Sequence, residues 1–340
     1  MKNITLLGID IAKNIFQLHG VDKEGNALLK KRLTRNKFSE FIANLPVCTI
    51  VMEACGGANY WARKFMSFGH EVKLISPHFV KPFVKTNKSD HNDAEAICEA
   101  ASRPSMRFVS HKTIEQQDIQ SVHRIRALLI KERTALANQI RGTLMEYGVI
   151  IPQGIANISK KLPSILEDAE NELSTLGREF LQDLYEHLTE KTEKIKKYDK
   201  KIETIFNTNE SCKRIEKLEG IGKITATAIF ATIGSNINIF KNGRHLSAYL
   251  GLVPRQYSSG NKQRLQGISK RGDSYLRTLL IHGARSAVRA AKKKDDKKSK
   301  WIKSLIERKG KNVAVVALAN KTARTIRALL INNSDYKVIA

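Results

Sequence analysis

Paired cysteines, long apolar runs and acidic side chains are what this 340-residue sequence has least of, and each shortage narrows its class. The four cysteines, Cys48, Cys55, Cys98 and Cys212, form no C-x-x-C pair and have no histidines spaced beside them. That pattern argues against a zinc site and a disulfide framework and points to a reducing cytoplasm. The apolar run at the start, Ile4 to Ile9, is shorter than a signal-peptide core, and no stretch is long enough to span a bilayer, so a soluble, cytoplasmic protein is expected, with no membrane partner. Acids number 33 against 59 lysines and arginines, a formal charge of +26. Such a surplus attracts a polyanion before any specific contact forms, which makes nucleic acid the first partner to consider. A ribosome-associated or simply soluble basic protein is the alternative that charge alone leaves open. The length suits about two domains of ordinary size.

What is present begins with an alternation of strands and helices. Ile4 to Ile9 ends at Asp10; Ile15 to Val21 and Ala27 to Leu33 follow, divided by the turn signal Asp22-Lys-Glu-Gly25. A helix over Phe38 to Leu45, a strand Thr49 to Met52 ending at Glu53, a helix Asn59 to Phe68, a strand Glu71 to Ile75 and a helix starting near Asp90 complete the pattern. Strands paired in sequence and then continued by helix crossovers match a ribonuclease H-like arrangement better than a doubly wound dinucleotide fold.

The rest reads as mostly helical. From Ile119 to Tyr147, Ile125, Leu129, Leu136, Ile140 and Leu144 recur at helical spacing among Arg124, Arg126, Lys131, Arg133 and Arg141, a long basic amphipathic helix. Leu173, Leu176, Phe180, Leu184, Leu188, Ile195 and Ile202 form a second run with alternating charges, either a helical hairpin or coiled-coil arm or two ordinary packed helices. Farther on, Gly251 to Gly272 is too irregular for a helix and reads as an extended or β-hairpin loop, Lys292 to Lys300 as a solvated linker, and Val313 to Leu330 as an apolar helix. The fold class is therefore α/β plus mainly α, divided into 1–110, a helical linker or coiled-coil arm at 111–210, and 211–340.

Four carboxylates stand out in this basic chain. Asp10 and Glu53 fall where apolar strands end, and parallel neighbours ending together would bring the two within a few ångströms. Asp90 and Asp93, spaced i, i+3 at a helix start, face one side. Together they are hard oxygen ligands of the kind Mg²⁺ takes in phosphoryl-transfer sites. Singly each has a plainer reading: Asp90 and Asp93 as helix cap and first-turn acid, Asp10 as a turn former, Glu53 as a solvated side chain.

The segments Gly8-Ile-Asp10-Ile-Ala-Lys13, Met52-Glu53-Ala-Cys-Gly-Gly57, Lys88-Ser-Asp90-His-Asn-Asp93-Ala and Leu250-Gly-Leu-Val-Pro-Arg-Gln-Tyr-Ser-Ser-Gly260 resemble the DEDD insertion-sequence transposases, a family that includes the Piv DNA invertase. The resemblance covers nearly the whole chain and keeps the family's order. It implies a RuvC-like metal-binding domain over 1–110 with Asp10, Glu53, Asp90 and Asp93 as its acids, and a transposase domain over 211–340 carrying a serine nucleophile. Five positions after Pro254 stands Ser259, the residue the family pattern selects, with Ser258 as its neighbour and rival.

A serine hydroxyl needs its developing charge stabilised, and Arg255, Lys262, Arg264, Lys270 and Arg271 lie near Ser259 in sequence. Ser-Ser-Gly is also an ordinary turn sequence. Gly220-Ile-Gly222, with Lys223 following, resembles half of a helix-hairpin-helix that holds a DNA phosphate on helix-start amides, and a plain helix–helix turn fits it equally well. The resemblance further implies a covalent serine–DNA intermediate, a composite site with Mg²⁺ as cofactor, DNA partners at element ends and target, and a structured non-coding guide RNA. Exchange of two duplexes cuts four strands, from which a homodimer or homotetramer is expected. The competing readings are a RuvC-like endonuclease that uses water and a non-catalytic nucleic-acid-binding protein.

Overall fold

Period-two apolar patterning in the first part of the chain gives way to long helical patterning in the rest, and the structure divides along with it. The computed structural model describes residues 4–84, 90–260 and 262–336, without the side chains of Asp90, His91 and Ser235. The chain forms two compact units, Met1–Glu115 and Gln116–Ala340.

In the first unit β1 (Leu6–Ile11), β2 (Ile15–Val21) and β3 (Ala27–Thr34) run antiparallel in sequence. The β2–β3 turn is closed by Asp22, whose Oδ1 accepts from the Asn26 amide at 2.7 Å, and by Gly25 at φ 91°. Helix α1 (Arg35–Ala43) crosses to β4 (Thr49–Glu53), which lies parallel to β1, and α2 (Ala58–Ser67) crosses to β5 (Glu71–Ile75), parallel to β4. After α3 (Pro77–Val80), a 3₁₀ turn Lys81–Phe83 and α4 (Asp90–Ser102), the short β6 (Phe108–Val109) pairs antiparallel with β5. The sheet order is β3-β2-β1-β4-β5-β6.

Alternate residues of the sheet face two different layers. Leu7 and Ile9 of β1, Phe16 and Leu18 of β2, and Ile50 and Met52 of β4 pack with Phe38 and Ile42 of α1 and Trp61 and Phe65 of α2. Val51 faces the other way, onto Ile97 and Ala100 of α4. Gly8 shares that second face, and its missing side chain is what lets α4 approach. A Cβ there would lie 2.5 Å from the Ala94 carbonyl oxygen and 2.7 Å from Cys98 Sγ. Cys98 is locked into the contact, accepting from the Gly8 amide and donating to the His19 carbonyl, both at 3.0 Å. All four cysteines are unbridged.

The second unit holds most of α5 (Ile114–Glu146), followed by α6 (Ile155–Glu167) and α7 (Thr175–Thr208). Helices α5 and α7 run antiparallel, linked by Arg126–Asp199 at 2.5 Å and Glu132–Lys191 at 2.8 Å. Ile140 and Leu144 of α5, Ile158 and Leu162 of α6, and Leu181 and Leu188 of α7 share one core. Ile125 and Leu176, both expected on apolar faces, are exposed.

Then come α8 (Glu210–Glu216), α9 (Lys223–Ile233), a 3₁₀ segment Gly234–Ile239, α10 (Gly243–Tyr249), and a hairpin of β7 (Pro254–Gln256) and β8 (Leu265–Ile268). Helices α11 (Ser274–Ala291), α12 (Lys297–Lys309) and α13 (Lys311–Asn332) finish the chain, and a second core gathers Ile229, Leu246, Leu280, Val288, Leu318 and Ile326.

Two expectations need correction. Asp10 lies inside β1 rather than beyond its end, because the β2 pairing continues through Asp10–Gln17 to Ile11–Phe16. The span Lys292 to Lys300 is not all linker: Asp296 caps α12 through the Ser299 amide at 3.0 Å, so the later lysines are helical. Helix α3 and strand β6, too short to show a period, were not anticipated.

Candidate active site

The register of the sheet sets the spacing of the first two acids. Ile9 of β1 is level with Met52 of β4, so the next residues, Asp10 and Glu53, are neighbours across adjacent parallel strands, roughly 5 Å apart at the backbone. Both continue the face that carries Gly8 and Val51, the α4 side of the sheet. Asp93 precedes Ala94, the residue against Gly8, and stands one helical turn before Ile97, which packs beside Val51. Asp90 opens α4, and its side chain lies outside the described residues.

Electrostatics agree with this placement. Burial raises the Glu53 carboxyl above its ordinary range, and the nearby charges of Asp10 and then Asp93 raise it further. Cys55 is raised by burial and by the same Glu53 and Asp10. Gln17, directly opposite Asp10, is buried, and its Oε1 accepts no hydrogen bond among the described residues. Among those residues no three His, Cys, Asp or Glu side chains are gathered closely enough to hold a metal ion. The acids converge without closing into a cage. Their chemistry still fits a hard divalent cation: the donors are oxygens, the carboxylates repel one another, and a buried amide oxygen, that of Gln17, has no partner among the described residues.

A cavity of about 430 Å³ continues from the same strand ends, lined by Lys13, Arg35, Cys55, Gly56, Tyr60 and Trp61 among others. Arg35 is held there by the Lys13 carbonyl at 3.2 Å and by the Trp61 ring, 5.3 Å from the guanidinium carbon to the centroid. Cations, aromatic faces and open glycine backbone suit a phosphate with a base attached. Sequence reading missed this set. Its signal was present only as Arg35 at the start of α1 and the Tyr60-Trp61 pair on α2.

In the second unit Ser259 lies in the β7–β8 connection, where residues 254–260 are all exposed. Its backbone bridges to Lys262, whose amide donates to the Ser259 carbonyl at 3.3 Å, and its hydroxyl makes no hydrogen bond among the described residues. Ser258 differs. Its Oγ accepts from Gln256 Nε2 at 3.1 Å and from the Arg264 amide at 3.3 Å, tying the two strands together.

The hairpin stands on a narrow glycine clasp. A Cβ on Gly251 (φ 69°) would lie 2.1 Å from the Arg271 carbonyl oxygen, and one on Gly272 (φ 80°) 1.9 Å from that of Tyr249. Arg277 fastens the clasp, donating to the carbonyls of Leu250 and Arg271 at 3.3 and 3.0 Å. Arg255, Lys262, Arg264, Lys270 and Arg271 are all exposed along the loop, with the exposed Tyr257 among them.

The remaining expected contacts divide. Arg124 and Lys131 are exposed on α5, whereas Arg126 is ion-paired with Asp199, and the Nε atoms of Arg133 and Arg141 are buried. Gly220 (φ 87°) is used in helix packing: its missing side chain admits the backbone of Gly283 in α11, whose carbonyl oxygen would be 2.4 Å from a Cβ. Gly222 has open space around it at the start of α9, and Lys223 is ion-paired with Glu203.

Comparison with known proteins settles what this assembly of parts belongs to. A family model described as a DEDD transposase, of the IS110 type, matches residues 7–149, and one described as "Transposase IS116/IS110/IS902 family" matches 212–300. The chain is 50% identical over 337 residues to the transposase for insertion sequence element IS1111A of Coxiella burnetii, covering 99% of this chain and 92% of that one. The chain belongs to the IS110/IS116 family of transposases. A probable family 20 transposase of Pseudomonas aeruginosa is 46% identical, with 98% and 99% of the two chains covered. A pilin gene-inverting protein of Moraxella bovis is 24% identical over 82% of this chain and 81% of its own length. As a member of the IS110/IS116 family the protein is a DNA-cutting and rejoining enzyme, and its DEDD domain is of a kind that suggests divalent metal use. No helix among the described residues is long and apolar enough to cross a membrane.

Proposed function

We propose that this transposase cuts and rejoins the DNA of its own insertion sequence through Ser259, with Asp10, Glu53, Asp90 and Asp93 holding Mg²⁺. The Ser259 oxygen forms a bond to a DNA phosphorus as the bond from that phosphorus to one strand oxygen breaks, and the released strand end leaves as a hydroxyl. The phosphoserine link conserves the phosphodiester energy, so a strand hydroxyl can reverse the step without ATP. The observation that carries the serine assignment is the contrast between two adjacent hydroxyls: Ser258 Oγ is occupied by Gln256 and Arg264, while Ser259 is exposed with its hydroxyl unpaired among the described residues. Arg255, Lys262 and Arg264 supply positive charge for the phosphoryl oxygens.

When bound, the cation supplies Lewis-acid stabilisation of oxygen charge. The carboxylates hold it, and the sheet register keeps Asp10 and Glu53 side by side. Support for a ribonuclease H-like, RuvC-like reading of 1–110 is the strand order β3-β2-β1-β4-β5, antiparallel through β1 and parallel beyond it. Residues 111–210 then serve as the helical connection and 211–340 as the transposase domain. A structured guide RNA, a homodimer or homotetramer, and a cytoplasmic site of action complete the reading, with the net charge of +26 suiting RNA as well as DNA.

The test is a suicide DNA substrate that traps protein on a cut strand. With Mg²⁺ the wild type and Ser258→Ala form a covalent adduct, and Ser259→Ala forms none. A verified substrate that yields no wild-type adduct defeats the proposal. Strand cleavage that persists in Ser259→Ala would make water the nucleophile.

A further inference from the structure

Gln17 occupies the polar phase of an alternating strand. Phe16 and Leu18 on either side of it pack into the core shared with α1 and α2, so Gln17 faces the opposite side of the sheet. On an open sheet that side would be wet. Here α4 lies over it, fastened through Cys98 to the Gly8 amide and the His19 carbonyl, and Gln17 is only 4% exposed. Its Oε1 is buried with no hydrogen-bond partner among the described residues. An amide oxygen left unpaired in the interior is destabilising, so such an atom calls for a water or an ion as its partner.

The register supplies the neighbours of that oxygen. Arg32 of β3, Gln17 of β2, Asp10 of β1 and Glu53 of β4 stand level across the sheet. Residues directly opposite one another on antiparallel strands share a face, with Cβ atoms roughly 5 Å apart. Gln17 is therefore on the flank of Asp10 away from Glu53, and the three oxygen-bearing side chains form one row on the α4 side. Arg32, beyond Gln17, is exposed and makes no bond to the buried oxygen. What the row needs is a further oxygen without further negative charge. Asp10 and Asp93 already push the Glu53 carboxyl upward, so another acid would add repulsion, whereas an amide oxygen adds a donor alone. Hard divalent cations take carbonyl oxygens beside carboxylates.

We propose that Gln17 is a further residue of the divalent-cation site, its Oε1 a neutral donor beside the carboxylates of Asp10 and Glu53. The proposal rests on the reading of those acids as a cation site, and it does not depend on which residue attacks the strand. It gives the buried oxygen its partner, and it adds to the four acids a residue that holds the cation without raising their mutual repulsion.

The test is cation binding by the full-length protein without DNA, which is read apart from strand cutting. Mn²⁺ serves as the probe, its free-ion paramagnetic resonance signal falling as it binds, with Mg²⁺ added as competitor. The wild type should bind Mn²⁺ and release it to Mg²⁺, and Asp10→Asn should lose most of that binding. Gln17→Met, similar in volume and apolar, should weaken Mn²⁺ binding roughly tenfold. Without cation it should melt no lower than wild type, because the unpaired oxygen is gone. Gln17→Glu restores an oxygen and adds a charge, so it should bind Mn²⁺ at least as tightly as wild type and melt lower without it. Wild-type affinity in Gln17→Met overturns the proposal: with a lowered melting temperature Gln17 is a packing residue, and with an unchanged one its oxygen is served by water. If Gln17→Met does not fold, Gln17→Glu decides, and Mn²⁺ binding weaker than wild type there is equally fatal. A wild type that binds no Mn²⁺, or binds it as well after Asp10→Asn, overturns the reading of the acids themselves. Binding lost in Asp10→Asn and kept in Gln17→Met overturns the role of Gln17 alone.

Discussion

Asp10 and Glu53 stand on parallel strands whose neighbours fix them on every side, whereas Ser259 stands in a hairpin connection in which residues 254–260 are all exposed. The acids are placed by a sheet with apolar layers on both faces. The hairpin has two short strands, which alone are marginal in water, and it is held at its base by Gly251, Gly272 and Arg277. Under the proposed function, the difference suits two chemical tasks. Ligands for one cation must converge before it arrives, and a nucleophile must reach a phosphorus on a large, separate molecule.

The largest effect should come from separating charge from geometry in the sheet. Asp10→Asn keeps the size and the strand and removes one carboxylate; strand cutting should fall by about 10³-fold or more, equivalent to about 4 kcal/mol of barrier. Ser259 and the hairpin should be untouched, as proteolysis of residues 254–273 would report. Cutting at a wild-type rate would show that the convergence of acids is incidental to the reaction.

Next in size are two glycines that test where each element gets its order. Gly8→Ala would push a Cβ to within 2.5 Å of the Ala94 carbonyl, displacing the helix that carries Asp93, and should cost the first unit about 3 kcal/mol by thermal or urea melting. Gly251→Ala combines φ 69° with a 2.1 Å approach to the Arg271 carbonyl, so the clasp must open. Its effect should be local, with faster protease cutting at 254–273 and little change in the melting of the sheet. If Gly251→Ala instead melts the whole second unit, the hairpin is part of the core rather than a projection from it.

The same contrast explains what was legible in the sequence. Strand ends at Glu53, the i, i+3 pair at the start of α4 and the hairpin between Gly251 and Gly272 all follow from local apolar periods and turn residues. Glycine 8 could be read only as part of a resembling segment, since its role depends on α4, far along the chain. Arg35 over Trp61 was missed for a related reason: it needs two elements to meet and leaves no periodic mark. Gly220 could be read equally as a phosphate contact or as part of a plain helix–helix turn, and only the structure shows its space filled by Gly283.

Acid should act on the two units with opposite signs. His123 is buried in the second unit between Tyr275 Oη at 3.1 Å and Thr227 Oγ1 at 3.0 Å, and burial, with Arg126 nearby, lowers it to about 4 from an ordinary 6.5. The unfolded chain therefore takes a proton first. Stability present above pH 6.5 declines as pH falls and is lost down to about pH 4, with about 2 kcal/mol gone between pH 6.5 and 5. Tyr275 lies at the start of α11, two residues past the Asp273 cap and next to the hairpin base, so the loss should be felt there. A chemical-denaturation series against pH checks this, and His123→Gln should flatten the slope. An unchanged slope in that variant would place the acid-sensitive group elsewhere.

The smallest effect comes from Glu53, and it runs the other way. Its carboxyl is raised in the folded protein by burial and by Asp10 and Asp93, so the unfolded chain ionises first as pH rises. The contribution of Glu53 to stability is full below its ordinary pKa of 4.5 and is lost as pH rises through the higher folded value. At neutral pH without divalent cation, Glu53→Gln should therefore leave the first unit as stable as wild type or slightly more so. Cation changes the ranking: Mg²⁺ at ten times its Kd should stabilise the wild type by about 1.4 kcal/mol and the variant by much less. Melting the two proteins with and without Mg²⁺ distinguishes this from a purely structural acid, for which Glu53→Gln would be destabilising without metal and equally responsive to it. Crossing of the two stability orders on adding Mg²⁺ is what a group of mutually repelling carboxylates requires if the cation is what relieves them.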